Sequence, residues 1–245
     1  MRTPSKKKPS QQKGPDFVHE AQALLGGAAF VAGVDEVGRG CLAGPVVAAA
    51  VILDPACAKE TFEFPAWLRR VRDSKLLSEE EREALVDPIR SFALAHAVGV
   101  ASEEEIDRLN ILHASHLAMV RAMDAVHGAS VHFRPLHAII DGHLVPRRVS
   151  PALASVRFSP LVKGDLKSVT VACASILAKV HRDREMARLS AIYPEFNFDR
   201  HKGYPTPEHL AALDRLGPTS IHRKSFAPVR DRMRHSDSGT TPALL

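Results

Sequence analysis

No stretch of this sequence stays uncharged and apolar over the roughly 18 residues needed to cross a bilayer; Asp35, Glu36 and Arg39 interrupt the longest candidate. The first residues also lack the apolar core of a signal peptide, so a cytoplasmic protein with no membrane partner is expected. Cysteine is scarce. Cys41, Cys57 and Cys173 make an odd number without a CxxC pair, which suits neither a disulfide framework nor a zinc cage, and reduced structural thiols are expected. Internal repeats are absent too. What remains is ordinary for a folded chain: 45% hydrophobic and 25% charged residues argue against a disordered or fibrous protein. A length of 245 residues can bury one substantial α/β core, and one main domain is expected.

The net charge of +5 is unevenly placed. Arg2, Lys6, Lys7, Lys8 and Lys13 precede the first acid, Asp16, and account for the whole excess. Between Ser78 and Glu105 eight acids face only Arg82 and Arg90, whereas between His222 and His235 five Lys or Arg face only Asp231. A basic tail and a basic C-terminal segment suit attraction to a polyanion through release of its counterions, although simple solvation explains the same charges.

Residues 1–15 are too polar to bury anything and are expected to form a basic tail. A catalytic-size domain over 16–230 and a second flexible tail over 231–245 complete the expected organisation. Within the domain, a short helix is expected over 16–25. The Val/Ala/Ile-rich runs 28–34 and 45–53 have strand length and are separated by the glycine-rich DEVGRGCLAG, which makes an antiparallel pair the natural arrangement. Ser78 with Glu81, and Ser102 with Glu105, have capping-box spacing. The second box opens a predicted helix running to about His127, with a third strand over 96–101 before it. Further strands are expected at 136–140 and 154–161, and a long helix rich in small residues at 168–189. Thr206 and Pro207 begin a helix ending at Gly217. Strands interleaved with helices indicate an α/β layer fold with a mixed sheet.

Acids at the ends of buried strands require a reason, because an unpaired carboxylate leaving water costs several kcal/mol. Asp35 and Glu36 follow FVAGV, Asp141 follows HAII, and Asp165 stands between an expected strand and a helix. Side by side, these four would repel one another and form a sink for a hard cation such as Mg²⁺ or Mn²⁺. Two such ions could activate water and stabilise the leaving oxygen of a phosphodiester. A strand-end Asp also serves as a turn or helix cap, so spacing leaves both readings open. Gly38-Arg39-Gly40 permits close approach of main-chain amides to a ligand, or else simply a tight hairpin; it is no dinucleotide fingerprint, because it leads into a strand. His113 and His116 have no partner ligands and read as core or surface histidines rather than a zinc pair.

The segments VAGVDEVGRGCLAGPVVAAAVIL, DSKLLSEEER, EIDRLNILHASHLAM, IIDG, VKGDLKSVTVACASILAKVHRD, HKGYPTPEH and HRKSFAPV occur in that order from Val31 to Val229. Together they resemble ribonuclease HII, the type 2 ribonuclease H family. The resemblance implies a ribonuclease H-like mixed β-sheet flanked by helices, with a C-terminal helical region. It assigns Asp35, Glu36, Asp141 and Asp165 to metal binding and catalysis with one or two Mg²⁺ or Mn²⁺ ions. It places Gly38, Arg39, Gly40 and Tyr204 at the junction between a ribonucleotide and the following deoxyribonucleotide, where the 2′-hydroxyl distinguishes RNA from DNA. Lys163 and Lys202, with Lys167 and Lys179, are candidate phosphate contacts or else solvated charges, and Tyr204 alone would read as an ordinary half-buried aromatic. The implied activity is hydrolysis of the RNA strand of RNA–DNA hybrids and nicking of DNA on the 5′ side of embedded ribonucleotides, leaving 5′-phosphate and 3′-hydroxyl ends. A monomer is expected, with a sliding clamp as candidate recruiting partner. An idle nucleic-acid-binding protein of the same fold would have lost one of the acids, and all four are present. The related type 3 enzymes carry a larger N-terminal binding domain, for which residues 1–27 leave no room. Three departures touch the motifs: Leu76 replaces a second lysine of DSKK, Cys173 stands where alanine is usual, and Cys41 replaces the proline usual after GRG, which is expected to loosen the loop and expose a thiol.

Overall fold

A computed structural model of the protein describes residues 14–129, 132–134 and 136–237. Most of the basic tail expected at 1–15 therefore lies outside the described residues. Helix α1 (Val18–Leu25) leads into β1 (Phe30–Val37) and β2 (Val46–Ile52), followed by α2 (Glu79–Phe92), β3 (Ala95–Ala101), α3 (Glu103–Leu109), α4 (Ile111–Gly128), β4 (Leu136–Asp141) and β5 (Arg157–Leu161). The chain continues through α5 (Val169–Ile192), α6 (Phe198–His201), α7 (Pro207–Leu216) and α8 (Ala227–Asp237). The strands form one five-stranded sheet in the order β3-β2-β1-β4-β5. β1 runs antiparallel to β2 and parallel to β4, so the sheet is mixed, as expected of an adjacent strand pair beside crossover connections.

Both faces of the sheet are covered, which is why β2 reads as an uninterrupted apolar run, VVAAAVI, with every residue buried. Alternation along β1 sends Ala32 and Val34 into the cluster with Ala118, Ala122 and Met123 of α4. The opposite face packs on α5, where Ala172, Cys173, Ala174 and Ala178 allow close approach. Gly33 marks the closest point: a Cβ there would stand 2.2 Å from the backbone of Thr170 and Val171. Leu42 and Ala43 from the loop after β1 join Met186, Phe196, Phe198, Leu213 and Val229 in a third cluster, which seats the C-terminal helical region beside the sheet.

Both capping boxes form, Ser78 with Glu81 and Ser102 with Glu105. The long helix expected after Ser102 is broken, however. Asn110 takes a positive φ of 68°, ends α3, and then caps α4 by accepting from the amides of Leu112 and His113. The tail expected from residue 231 is helical as far as Asp237, because Val229 is buried and Arg232 grips Asp214. All three cysteines are free and buried. Among the described residues no helix is long and apolar enough to cross a membrane.

Candidate active site

Strand register brings the first two acids together. Val34 of β1 pairs with Ile140 of β4, so Asp35 and Asp141 follow at the same level on adjacent parallel strands. β1 does not stop before the acids, as the apolar run suggested; it continues to Val37 because its other edge pairs with β2 as far as Val37↔Val47. Asp165 sits in the helical turn Gly164–Leu166 just beyond β5, and the Gly164 amide donates to Asp141 Oδ1 at 2.6 Å, tying that turn to the strand end. Lys163 enters the turn in a left-handed conformation, φ 57°, and its side chain is exposed.

The acids share one electrostatic environment. Asp35 is 5% exposed, and burial pushes its carboxyl well above the ordinary range, reinforced by Glu36, Asp141 and Asp165. Burial also raises Glu36, against the opposing pull of Arg39, whose Nη1 donates to Glu36 Oε1 at 3.1 Å. Glu36 Oε2 is buried with no hydrogen-bond partner. Asp165 is raised by burial, Asp73 and Asp141, while Lys75 opposes. The Lys75 ammonium lies 3.5 Å from Asp165 and 3.8 Å from Asp73; desolvation works against its charge, yet these acids and Asp35 lift its pKa overall. Ser74, its neighbour, shares a buried 3.0 Å hydrogen bond with Ser175 of α5, and Ser175 in turn supports Asp35.

This chemistry fits a divalent cation. Carboxylates that raise one another's pKa, with one buried oxygen left unserved, gain from a positive ion that replaces the lost solvation. Asp141, Glu36 and Asp165 turn oxygens toward Gly164, Arg39 and Lys75, and among the described residues no three potential ligands stand as a ready-made cage.

The loop after β1 is held from beneath. Arg182 of α5 donates from Nε to Pro45 O at 3.1 Å, from Nη2 to Ala43 O at 3.1 Å and from Nη1 to Lys202 O at 2.8 Å. Arg223 donates to the carbonyls of Arg39, Gly44 and Pro45. Both guanidiniums are fully buried. With the Arg39 carbonyl drawn inward by Arg223, the planar trans peptide sends the Gly40 N–H the opposite way; separately, a Cβ on Gly40 would meet nothing within 4 Å. Gly38 has φ 94° and leaves room for Arg182, whose Nε would lie 2.2 Å from a Cβ. The Leu42 amide donates to Gly203 O at 2.8 Å, which brings the glycine loop against the turn carrying Lys202 and Tyr204. Tyr204 is 38% exposed.

One expectation needs correcting, and several other candidate residues can be located. Cys41 exposes no thiol: it is completely buried under the loop beside Tyr204, and burial raises its pKa. Lys179 is engaged internally, 2.7 Å from Asp183, because α5 turns that position toward the interior. The Lys202 ammonium lies 3.9 Å from Glu79 and is largely covered. His113 and His116 form a ring pair on α4, in a pocket also lined by Arg147. Lys75, Arg182 and Arg223 were not singled out from sequence, and Ser175 counted only among the small residues of the long helix.

Residues 32–229 match the family model for ribonuclease HII. The fold is shared with the ribonuclease H2 of Pyrococcus horikoshii OT3, at 26% identity and TM-score 0.64, over 86% of this chain and 100% of that one. The ribonuclease HII of Archaeoglobus fulgidus, solved as a complex with PCNA, matches at 29% identity and TM-score 0.59, over 82% of this chain and 96% of that one. A ribonuclease HIII (Bst-RNase HIII) solved with Mn²⁺ matches in fold at 24% identity and TM-score 0.68, over 96% of this chain and 77% of that one.

Proposed function

Since the chain belongs to the ribonuclease HII family, endoribonucleases that act on RNA–DNA hybrids with divalent metals, we propose that it also nicks duplex DNA on the 5′ side of single embedded ribonucleotides. The observation that carries this reading is the joining of the Gly38–Arg39–Gly40 loop to the Tyr204 turn through Leu42 and Arg182, on the chain segment that leaves the acid-bearing strand β1. A main-chain amide held outward at Gly40 and a half-exposed phenol suit recognition of one sugar with its 2′-hydroxyl better than recognition of a long hybrid.

Asp35, Glu36, Asp141 and Asp165 would hold the metal, Mg²⁺ or Mn²⁺. When bound, it supplies an activated water and charge stabilisation at the phosphodiester, giving 5′-phosphate and 3′-hydroxyl ends. The chain's own residues do the rest. Ser175 and the Glu36 amide orient Asp35, Gly164 orients Asp141, and Lys75 balances Asp165. The exposed Lys163 would contact a phosphate directly, Arg39 would do so by releasing Glu36, and Lys202 would reach one only by leaving Glu79. Such phosphate contacts position a duplex without reading it. The complex of a relative with PCNA supports a sliding clamp as recruiting partner, and a monomeric enzyme is part of the same proposal.

The test is nicking of matched duplexes carrying one, four or no ribonucleotides by wild type and Tyr204→Ala. Loss of a sugar-stacking contact worth about 1–3 kcal/mol predicts a drop of about 5- to 150-fold at single ribonucleotides. Wild-type cutting of all-DNA duplex, or unchanged cutting by Tyr204→Ala, refutes the junction reading.

A further inference from the structure

Behind the Tyr204 turn lies a buried cluster of three histidines that the metal chemistry does not use. His201 ends α6, His209 belongs to α7, and His222 forms an isolated bridge with Ala43, just past the glycine loop. His209 and His222 are 0% and 1% exposed, enclosed by the rings of Phe196 and Phe198, and His201 stacks on His209 at 4.5 Å.

The partners leave one arrangement of hydrogens. His209 Nδ1 stands 2.9 Å from Tyr204 O. A carbonyl only accepts, so Nδ1 carries the hydrogen and Nε2 is a bare acceptor. The Thr219 amide donates to His222 Nδ1 at 2.9 Å, so the hydrogen of His222 is on Nε2. These two tautomers, derived separately, meet at the 3.0 Å contact between the Nε2 atoms, where one donor faces one acceptor. His201 is equally determined, with the Gly203 amide donating to Nδ1 at 3.2 Å and Nε2 facing Phe196 O at 2.7 Å. Every ring is neutral in this arrangement. Burial, the leading cause, lowers His209 to about 4 and His222 to about 3, in keeping with it.

We infer that His209 and His222 are positioning residues: a fixed-tautomer relay from Thr219 through both rings to Tyr204 O holds the Tyr204 turn against the glycine loop and sets how strictly a ribonucleotide junction is read. The inference rests on the junction reading of Tyr204 given above. The relay reaches both recognition segments, because the amide of Arg223, next to His222, donates to Leu42 O at 2.8 Å, while Leu42 donates to Gly203 O.

His222→Phe keeps an aromatic ring and removes the Nε2 hydrogen, so His209 loses its donor and its own hydrogen is free to leave Nδ1. On a duplex with one ribonucleotide, kcat should fall about 10- to 100-fold, the range one buried hydrogen bond supports, with KM nearly unchanged because phosphate contacts are untouched. His222→Gln, whose amide can donate to His209 Nε2, should restore most of the loss. In a Tyr204→Ala background His222→Phe should add nothing, whereas a merely structural histidine would lower both backgrounds alike. Additive losses overturn the inference. A readout independent of nuclease activity is the nitrogen–proton correlation spectrum of the wild-type imidazoles at neutral pH. It should show His209 as the Nδ1–H tautomer and His222 as Nε2–H. The reverse pattern, or a charged ring, overturns the relay even if the variants fail to fold. If Tyr204→Ala cuts like wild type, the junction reading fails by itself, and the spectra still decide the relay.

Discussion

Replacing Arg223 by Met tests whether the glycine loop depends on the guanidinium beneath it. Burial lowers the Arg223 pKa from 12.5 to about 10, and at about 1.4 kcal/mol per unit that is a penalty of about 3 kcal/mol for keeping the charge inside. Against it stand four hydrogen bonds, from Nε to Gly44 O at 2.9 Å, from Nη1 to Arg39 O at 3.1 Å, and from Nη2 to Gly44 O at 2.8 Å and Pro45 O at 3.1 Å. Met recovers the penalty but abandons bonds worth about 1.5–3 kcal/mol each, and leaves three carbonyls without that donor. With the four bonds counted toward the lower end of that range, about 6–8 kcal/mol in all, a net loss of about 3–5 kcal/mol follows. For a chain of this size that corresponds to a Tm lower by about 6–20 °C. Nicking at a single ribonucleotide, assayed well below the new midpoint, should fall more than about tenfold, since the outward Gly40 amide depends on the inward Arg39 carbonyl. The assays are calorimetry and single-ribonucleotide nicking on one preparation. A Tm within about 2 °C of wild type together with full nicking would refute the reasoning.

Asp35→Asn should abolish cleavage while raising the stability of the metal-free protein at neutral pH. The folded Asp35 carboxyl keeps its proton to higher pH than the unfolded chain does. Wild-type stability therefore falls as pH rises above the ordinary carboxylate range, and the Asn variant should flatten that fall; denaturant unfolding between about pH 4 and 8 checks the sign, and a variant with wild-type turnover sinks the assignment. Gly33→Ala places a methyl 2.2 Å from the backbone of α5 and should cost about 1–3 kcal/mol by forcing strand and helix apart; an unchanged denaturant midpoint would contradict that packing. Deleting residues 1–14 should flatten the dependence of log K on log salt by at most about 0.9 per lost phosphate contact, leaving the nick position unchanged, and an identical slope would mean that the basic tail touches no phosphate.

Much of the fold was legible because its signals are local. The run VVAAAVI reads as a doubly covered strand, and the Ser78 and Ser102 boxes form where their spacing puts them. The acids were legible for a different reason: a carboxylate in or beside a buried strand needs a partner, and register supplies the others. What escaped depends on tertiary direction. Arg182 and Arg223 look in sequence like any surface cation, and only the folded chain shows that their partners are carbonyls from the loop after β1. The break at Asn110 follows from a backbone turn that the capping box upstream does not encode. The burial of Cys41 depends on the Tyr204 turn folding over it, from a segment far along the chain.

The measurement that reaches the central claim most directly is end-group mapping of the products from a DNA duplex with one ribonucleotide, incubated with the purified wild-type protein with and without Mg²⁺ or Mn²⁺. The account predicts one metal-dependent nick on the 5′ side of the ribonucleotide, leaving a 3′-hydroxyl and a 5′-phosphate, and an intact all-DNA control. Cutting that persists in chelator, falls elsewhere in the strand, or spares the single ribonucleotide while degrading longer hybrids would contradict it.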